Sequence, residues 1–478
     1  MSRPSLDDAC TKIVATVGPA CETKEQLKSL IEAGADVFRI NTAHGGRAQH
    51  EAILGRIREA SEETGFPVGV LLDLAGPKIR LGPLLEDPFR CDVGMAVAFV
   101  RGQATSSHEF SSTYEKLIDE LEPGDRVMLA DGTVALQVKS VQQDRADCVV
   151  TAAGTIRSRQ GINLPGVKLS VAAMLPKDID NAIWGASNSL DFISLSFVRS
   201  PEDIQELKTL LREHNSEALV VAKIEKPEAL ERLESIVDAA DGIMVARGDL
   251  GVEIDVAETP VAQKRIIRVC REKMKPVIVA TQMLESMHHN TRPTRAEVSD
   301  VANAILDGAD ACMLSGETAI GEHPALAVAT MNRIMSCTER DMLKHAKRND
   351  RMSDRVHPIT CAVTEAATDI AEAIRAKLII IATRSGNTAW VKSQSRSLIP
   401  TIGASDSTGT LRRLNLLWGI KPIQSDELDD TSHFIDSMCR WGRANAGLQP
   451  GDQLVFVTGT GVVEKAHNLV VVHTVEDE

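Results

Sequence analysis

No stretch of this chain comes near the roughly 20 consecutive apolar residues that a membrane helix needs, which excludes a transmembrane reading. CxxC pairs are also missing. The nine cysteines (Cys10, Cys21, Cys91, Cys148, Cys270, Cys312, Cys337, Cys361 and Cys439) are scattered, so neither a zinc site nor a disulfide framework is indicated, and most read as small buried hydrophobes. Positive charge is scarce: 53 lysines and arginines face 67 aspartates and glutamates, for a formal net charge of -14. That balance argues against nucleic acid as the main ligand, because binding a phosphate backbone rests on basic patches. An anionic small substrate would need a local basic pocket instead. The opening sequence MSRPSLDDACTKIVATVG has no apolar core or small-residue cleavage site of a secretory signal, so a cytoplasmic protein is expected.

What is present is a long globular chain. At 478 residues, with 43% hydrophobic and 25% charged residues, it should form two to four domains. Short apolar runs of strand length alternate with helical patterns: KIVATV (12 to 17), VFRIN (37 to 41), VGVLLD (68 to 73), DFISLSF (191 to 197), LVVAKIE (219 to 225), GIMVA (242 to 246), PVIVA (276 to 280) and ACMLS (311 to 315). Eight such units close a (β/α)8 TIM barrel with a parallel sheet. Over a hundred residues separate the third run from the fourth, instead of the usual thirty or so. Between Gly82 and Pro176 the pattern becomes short alternating strands (VGMAVAF, PGDRVMLADGTVALQV, DCVVTAA) broken by Gly, Pro and Asp, which reads as a small inserted β barrel able to act as a lid. A charge-dense stretch, KHAKRNDRMSDRVHP (344 to 358), reads as a linker continuous with the solvated end of a long helix. A further α/β domain follows, with strands LIIIAT (378 to 383), LVFVT (454 to 458) and LVVVHT (469 to 474). The expected layout is barrel 1–80, lid 81–172, barrel 173–345 and a C-terminal α/β regulatory domain 346–478.

In such a barrel the chemistry sits at the C-terminal ends of the strands. Polar residues collect there: Thr16 after the first run, Arg39 and Asn41 on the second, Asp73 on the third, Lys223 and Glu225 on the fifth, Asp249 after the sixth and Thr281 after the seventh. Lys223 and Glu225 are two apart and share a strand face, as a catalytic pair or as a structural ion pair on the rim. Asp249 lies in ARGDLG, either a plain loop or a carboxylate that joins Glu225 around Mg²⁺. Arg39 and Arg80 stand beside strand ends, where a guanidinium fork suits phosphate or carboxylate and equally a surface salt bridge. Thr281 is a helix cap or a catalytic hydroxyl.

The motifs that carry these residues resemble those of the pyruvate kinase family, in the same order and over essentially the whole chain. They are KIVATVGPA (12 to 20), RINTAHG (39 to 45), LLDLAGPKIRLG (71 to 82), GINLPG (161 to 166), LSFVRSPEDI (195 to 204), AKIEKPEAL (222 to 230), VARGDLGVEI (245 to 254), VATQMLESM (279 to 287), RPTRAEVSDVANAILDGAD (292 to 310) and SGETAIG (315 to 321). The resemblance implies transfer of a phosphoryl group from phosphoenolpyruvate to ADP, giving ATP and pyruvate through an enolate that is then protonated. It also implies the three-domain architecture and a homotetramer. Residue by residue, it implies that Arg39 binds the substrate phosphate, that Glu225 and Asp249 hold Mg²⁺ (or Mn²⁺), and that Lys223 stabilises the phosphoryl group and the enolate. Gly248 and Asp249 are implied to receive the substrate carboxylate through backbone, Thr281 to sit where the enolate is protonated, and Arg80 and Lys177 to contact nucleotide phosphates.

Three departures from the family pattern bear on its potassium site, which an asparagine, a serine, an aspartate and a threonine form in potassium-dependent relatives. Asn41 and Asp73 remain, but Ala43 and Leu74 replace the two hydroxyl residues, and Lys78 stands where those relatives have a glutamate. The expectation is an enzyme that works without K⁺. In the C-terminal domain, TRSGNTA (383 to 389) follows a strand and opens a helix. Its backbone N–H groups, with Thr383, Ser385, Gly386, Asn387 and Thr388, could cradle the phosphate of a sugar-phosphate or nucleotide effector, or form a routine turn. The loop TGTGVVEKAHN (458 to 468) lacks some glycines of fructose-bisphosphate-activated relatives, which disfavours that effector. Two rivals stand beside the kinase: a Mg²⁺ lyase on a barrel, and a catalytically silent relative that binds effectors.

Overall fold

Continuous apolar runs form strands buried on both faces, as parallel sheets require. The computed structural model describes residues 9–342, 356–459 and 468–477 except 168, 427 and 429. In it the eight runs become the barrel strands Lys12–Thr16, Val37–Asn41, Gly69–Asp73, Phe192–Leu195, Leu219–Ile224, Gly242–Ala246, Val277–Ala280 and Ala311–Leu314, all parallel and closed into one ring. Helices between them are set by local signals. Thr23 and Gln26 form a capping box before Lys24–Ala33, and Gly34, in the left-handed region at φ 119, ends that helix. Thr294 and Glu297 repeat the capping box before Arg295–Asp307.

Four aspartates tie the N-terminal rim together in a repeating way. Asp36, Asp191, Asp241 and Asp310 each immediately precede an even-numbered strand, and each accepts a backbone N–H from the odd-numbered strand before it: Ile13, Val70, Val220 and Val277, all at 2.9 Å. Each also has a basic partner. Lys12 (3.8 Å) and Lys208 (3.0 Å) of the barrel face Asp36 and Asp241. Asp191 and Asp310 instead take Arg412 (2.8 Å) and Arg396 (2.9 Å) from the C-terminal domain.

The insert between the third and fourth strands makes a six-stranded sheet and a two-stranded ribbon around one core, in which Phe110 packs edge-on against Phe89 and Phe99. The C-terminal domain is a five-stranded sheet in the order Ile420–Gln424, Thr401–Ser405, Leu378–Ala382, Gln453–Thr458, Leu469–Thr474, the last antiparallel to its neighbour. Two of these strands were not legible as apolar runs. Thr401–Ser405 is built of small and polar residues, and Ile420–Gln424 carries Pro422, which an edge strand tolerates because one face of its ladder is unpaired. The domain docks on the N-terminal rim, where Trp390 Nε1 donates to the Met274 carbonyl (2.7 Å) and Lys12 Nζ to that of Ile420 (2.7 Å). The stretch 344–358 and the loop 458–468 lie largely outside the described residues. Seven of the nine cysteines are buried and all nine are free thiols. Among the described residues no helix is long and apolar enough to cross a membrane.

Burial raises the Asp191 carboxyl above its ordinary value, against the opposing pull of Arg412 and Arg58. Asp191 is therefore a buried charge that depends on its partner. Arg412→Ala should cost about 3 kcal/mol or more of stability, and adding Asp191→Asn should return over half of it, because the asparagine oxygen still accepts from Val70 without a charge to neutralise. Urea unfolding of the single and double variants checks this; equal midpoints for Arg412→Ala and wild type would contradict it.

Candidate active site

The strand register sets the site. It places Thr16 opposite Arg39, Asn41 opposite Asp73, and Asp73 opposite Ser194, so polar ends of the first four strands fall in adjoining positions at the C-terminal mouth. Arg39 donates twice to Asp73 Oδ2, from Nε (2.9 Å) and Nη2 (2.5 Å), and once to Thr16 Oγ1 from Nη1 (3.0 Å). Asp73 Oδ1 accepts from Ser194 Oγ (2.7 Å) and lies 3.5 Å from Lys223 Nζ. Lys223 Nζ in turn donates to Ser196 Oγ (2.8 Å) and stands 2.8 Å from Glu225 Oε1. Glu225 Oε2 accepts the Phe197 N–H at 2.7 Å.

These groups are almost wholly buried, so their electrostatics are mutual. Burial would raise Asp73, but Lys223 and then Arg39 outweigh it and hold the carboxyl below the usual range. For Lys223, burial acts to strip the proton, yet Asp73 and Glu225 together raise its affinity for it, and the amine stays charged. Glu225 moves upward: burial dominates, Lys223 opposes it, and nearby Asp249 adds like-charge repulsion.

Asp249 reaches in from the first turn of the helix Arg247–Glu253, and its Oδ1 lies 3.4 Å from Lys78 Nζ. Lys78 does not pair with Asp73, whose two oxygens are engaged by Arg39, Ser194 and Lys223. Elsewhere in the potassium region, Asn41 Oδ1 accepts the Ala43 N–H (3.0 Å) and Leu74 is fully buried.

Thr281 has φ +69, followed by Gln282 at +55. A β-branched residue in this region is a true outlier and stores on the order of 1–3 kcal/mol. Neighbouring groups hold it there: Thr281 Oγ1 donates to the Ala280 carbonyl (2.7 Å) and accepts the Gly248 N–H (2.8 Å). Arg247 Nη2 donates to the Thr281 carbonyl (2.6 Å), and Arg247 Nη1 to Asp300 (2.6 Å). Thr281 thus does cap a helix, but the helix that follows the preceding strand. Arg247, Ser194 and Ser196 escaped the sequence reading; only the position of Arg247 within ARGDLG and of the serines at the end of the fourth run marked them.

Arg80 and Lys177 stand outside the buried network. Arg80 Nη1 donates to the Arg159 carbonyl in the insert (3.1 Å), and the exposed Lys177 reaches the Thr42 carbonyl (3.4 Å). The insert also touches the helix that bears Asp249, through Asn163 Nδ2 and Glu253 Oε1 (3.3 Å). Far from the mouth, the turn 383–388 is closed on itself: Thr383 Oγ1 accepts the Gly386 N–H (3.0 Å), Ser385 Oγ that of Asn387 (3.5 Å), and Thr388 is buried at the start of the helix Asn387–Gln394.

The fit to a divalent cation can be judged from the donors. Glu225 Oε1 is buried and receives no aligned hydrogen bond, although Lys223 faces it, and Asp249 stands close enough to repel it. Two hard carboxylates with a lone pair to spare suit Mg²⁺.

Comparison with known proteins agrees with this geometry. Residues 9–328 match the model of the pyruvate kinase barrel domain and residues 361–473 that of the pyruvate kinase alpha/beta domain. The chain is 41% identical over 474 residues to a pyruvate kinase of Corynebacterium efficiens and 40% identical over 475 residues to one of Mycobacterium tuberculosis, in each case covering 98% of both chains. The crystal structure of a pyruvate kinase from Cryptosporidium parvum superposes with a TM-score of 0.90 at 33% identity, over 98% of this chain and 96% of that one. A closed barrel whose mouth gathers these charges, together with likeness of this extent over nearly every residue, leads to one assignment: the chain belongs to the pyruvate kinase family.

Proposed function

We propose a division of labour among these residues for the pyruvate kinase reaction, in which an ADP oxygen attacks the phosphorus of phosphoenolpyruvate, the bond from phosphorus to the enol oxygen breaks, and the enolate left behind takes a proton to become pyruvate. The observation that carries the proposal is the single buried network of Arg39, Asp73, Lys223 and Glu225. Arg39, held on two sides by Asp73 and Thr16, offers a preformed cation to the substrate phosphate. Lys223 stays charged in a dry site and neutralises oxygen first on the transferring group and then on the enolate, where charge develops. Thr281 sits where the enolate carbon is protonated, its hydroxyl oriented by the Ala280 carbonyl. The N–H groups of Gly248 and Asp249 meet the substrate carboxylate, which replaces the Thr281 oxygen on Gly248. Arg80 and Lys177 receive the nucleotide phosphates, and the insert, anchored beside both Arg80 and Glu253, excludes water on closing.

Counting charges explains why a metal belongs here. Arg39, Lys223 and Lys78 face Asp73, Glu225 and Asp249, so the network is neutral and has no surplus to offer an anionic substrate. Glu225 and Asp249 would hold Mg²⁺ or Mn²⁺, which supplies Lewis-acid stabilisation of phosphoryl and enolate oxygen. Potassium is not required in this reading, because the oxygen ligands it would use are missing or occupied. Lys78 supplies a tethered charge instead, and it does so beside Asp249. The intact network argues against a silent relative, and the insert with its trailing domain against a lyase.

A phosphorylated effector at 383–388, a homotetramer and a cytoplasmic location complete the reading. Titrating ribose 5-phosphate, glucose 6-phosphate and AMP should shift the phosphoenolpyruvate response, and the absence of any shift would remove the effector. Light scattering after size exclusion reads the assembly.

Two substitutions separate the halves of the reaction. Lys223→Ala should lower kcat on the order of 10³-fold with little change in KM. Thr281→Ala should leave phosphoryl transfer largely intact while slowing solvent proton exchange into pyruvate about tenfold, with Thr281→Ser restoring it. Near-normal turnover of Lys223→Ala, or unchanged exchange in Thr281→Ala, would overturn the respective role. Potassium dependence is tested by comparing turnover in potassium and tetramethylammonium buffers of equal ionic strength. Wild type should differ by well under tenfold, and Lys78→Glu should lose activity that potassium does not fully return, since Ala43 and Leu74 still offer no oxygen. A tenfold activation of wild type by potassium would contradict the reading.

A further inference from the structure

A second group of ligating side chains lies on the loops that follow the seventh and eighth strands. Glu285 and His288 are three apart on the short 3-10 helix Glu285–His288, and Glu317 is on the turn Gly316–Ala319 after the last barrel strand. One ligand atom from each lies within 4.8 Å of the others.

The surroundings of these three residues suit a cation. Glu317 is fully buried; its oxygens accept the N–H groups of Leu284 (3.0 Å) and Ser315 (2.7 Å), but among the described residues no lysine or arginine pairs with it. A buried carboxylate without a countercharge is costly. The His288 imidazole makes no hydrogen bond from either nitrogen among the described residues: Nε2 is sealed from solvent without a partner, and Nδ1 lies 3.9 Å from Glu285 Oε1. The ring rests against Gly316, where a Cβ would come within 2.4 Å of Cε1 and Nε2, so the absence of a side chain there is what admits it. Ser315 Oγ, next to it in sequence, is likewise buried and unpartnered. Glu285 is the exposed member and leaves the cluster open to solvent on one side.

We propose that Glu285, His288 and Glu317 bind a divalent transition-metal ion of the zinc class. One imidazole nitrogen with two carboxylates suits Zn²⁺, and also Co²⁺ or Mn²⁺, whereas Mg²⁺ favours an all-oxygen shell with several waters. Ligand bonds of about 2.1 Å set tetrahedral ligands roughly 3.4 Å apart, so the three must draw together slightly. The exposed Glu285 side chain is free to make that movement. The site is separate from Glu225 and Asp249, which belong to other strands. It begins four residues beyond Thr281 and would join the loop that bears Thr281 to the one after the eighth strand, so its occupancy stiffens the strained turn at the mouth and tunes turnover without supplying the catalytic ion.

Isothermal titration of the chelator-stripped full chain with Zn²⁺, in excess Mg²⁺ to saturate the carboxylates of the mouth, tests this without reference to activity. Wild type should bind one ion that His288→Ala and the surface variant Glu285→Gln each weaken at least tenfold. His289→Ala should keep that ion, since His289 pairs instead with Glu322 (2.9 Å). The bound ion should also raise the thermal midpoint of wild type and not that of His288→Ala. Circular dichroism establishes that the variants fold. Titrations of wild type and His288→Ala that coincide, no binding by wild type, or loss of the ion in His289→Ala would each overturn the proposal.

Discussion

At the mouth of the barrel two buried cations depend on one carboxylate. Asp73 ends the third strand between Arg39 and Lys223, and its two oxygens divide between them, with Ser194 completing the set. Without Asp73, Arg39 would be left with the Thr16 hydroxyl and Lys223 with Glu225 and Ser196, two buried cations in a medium that screens poorly. Lys223 and Arg39 hold the Asp73 carboxyl below the usual carboxylate range, which favours its ionised form between them. Arg39 and Lys223 therefore meet substrate already charged and already oriented, so little reorganisation is left for the reaction itself.

How much of this could be read from the sequence follows from what each element asks of its residues. The barrel strands are buried on both faces and need unbroken apolar runs, so all eight stood out. Two strands of the C-terminal sheet were invisible, because Thr401–Ser405 is packed closely enough to use small residues and Ile420–Gln424, at an edge, can carry a proline. The charged members of the site were marked by strand-end position and by family motifs. Their connections were not: that Lys78 faces Asp249 rather than Asp73, or that Arg247 braces Thr281 in a left-handed conformation, depends on side chains from distant segments meeting in space. Spacing along a chain carries no information about such meetings.

The C-terminal domain contributes to the barrel as well as resting on it. Arg396 and Arg412 provide the cations for two of the four rim aspartates, and Trp390 reaches the Met274 carbonyl at the end of a barrel helix. Any shift of that domain would expose buried carboxylates on the face opposite the mouth. Arg396 and Arg412 thus tie the terminal domain to the bases of the eighth and fourth strands.

The four rim aspartates make the barrel periodic in pairs of strands, and the insert falls inside the second pair. The hydrogen bond from Val70 to Asp191 spans the whole insertion and closes it at the base of the barrel. At the top, Gly76 N–H meets Asp178 Oδ1 (3.2 Å), and Gly76 itself, at φ +65 and close against Ser196 and Phe197, sits where a side chain would be strained. The insert is therefore mounted on a stapled root. Both ends of the insertion are fastened to the barrel, at the base by Asp191 and at the top by Asp178, so the ring of strands is closed without help from the insert.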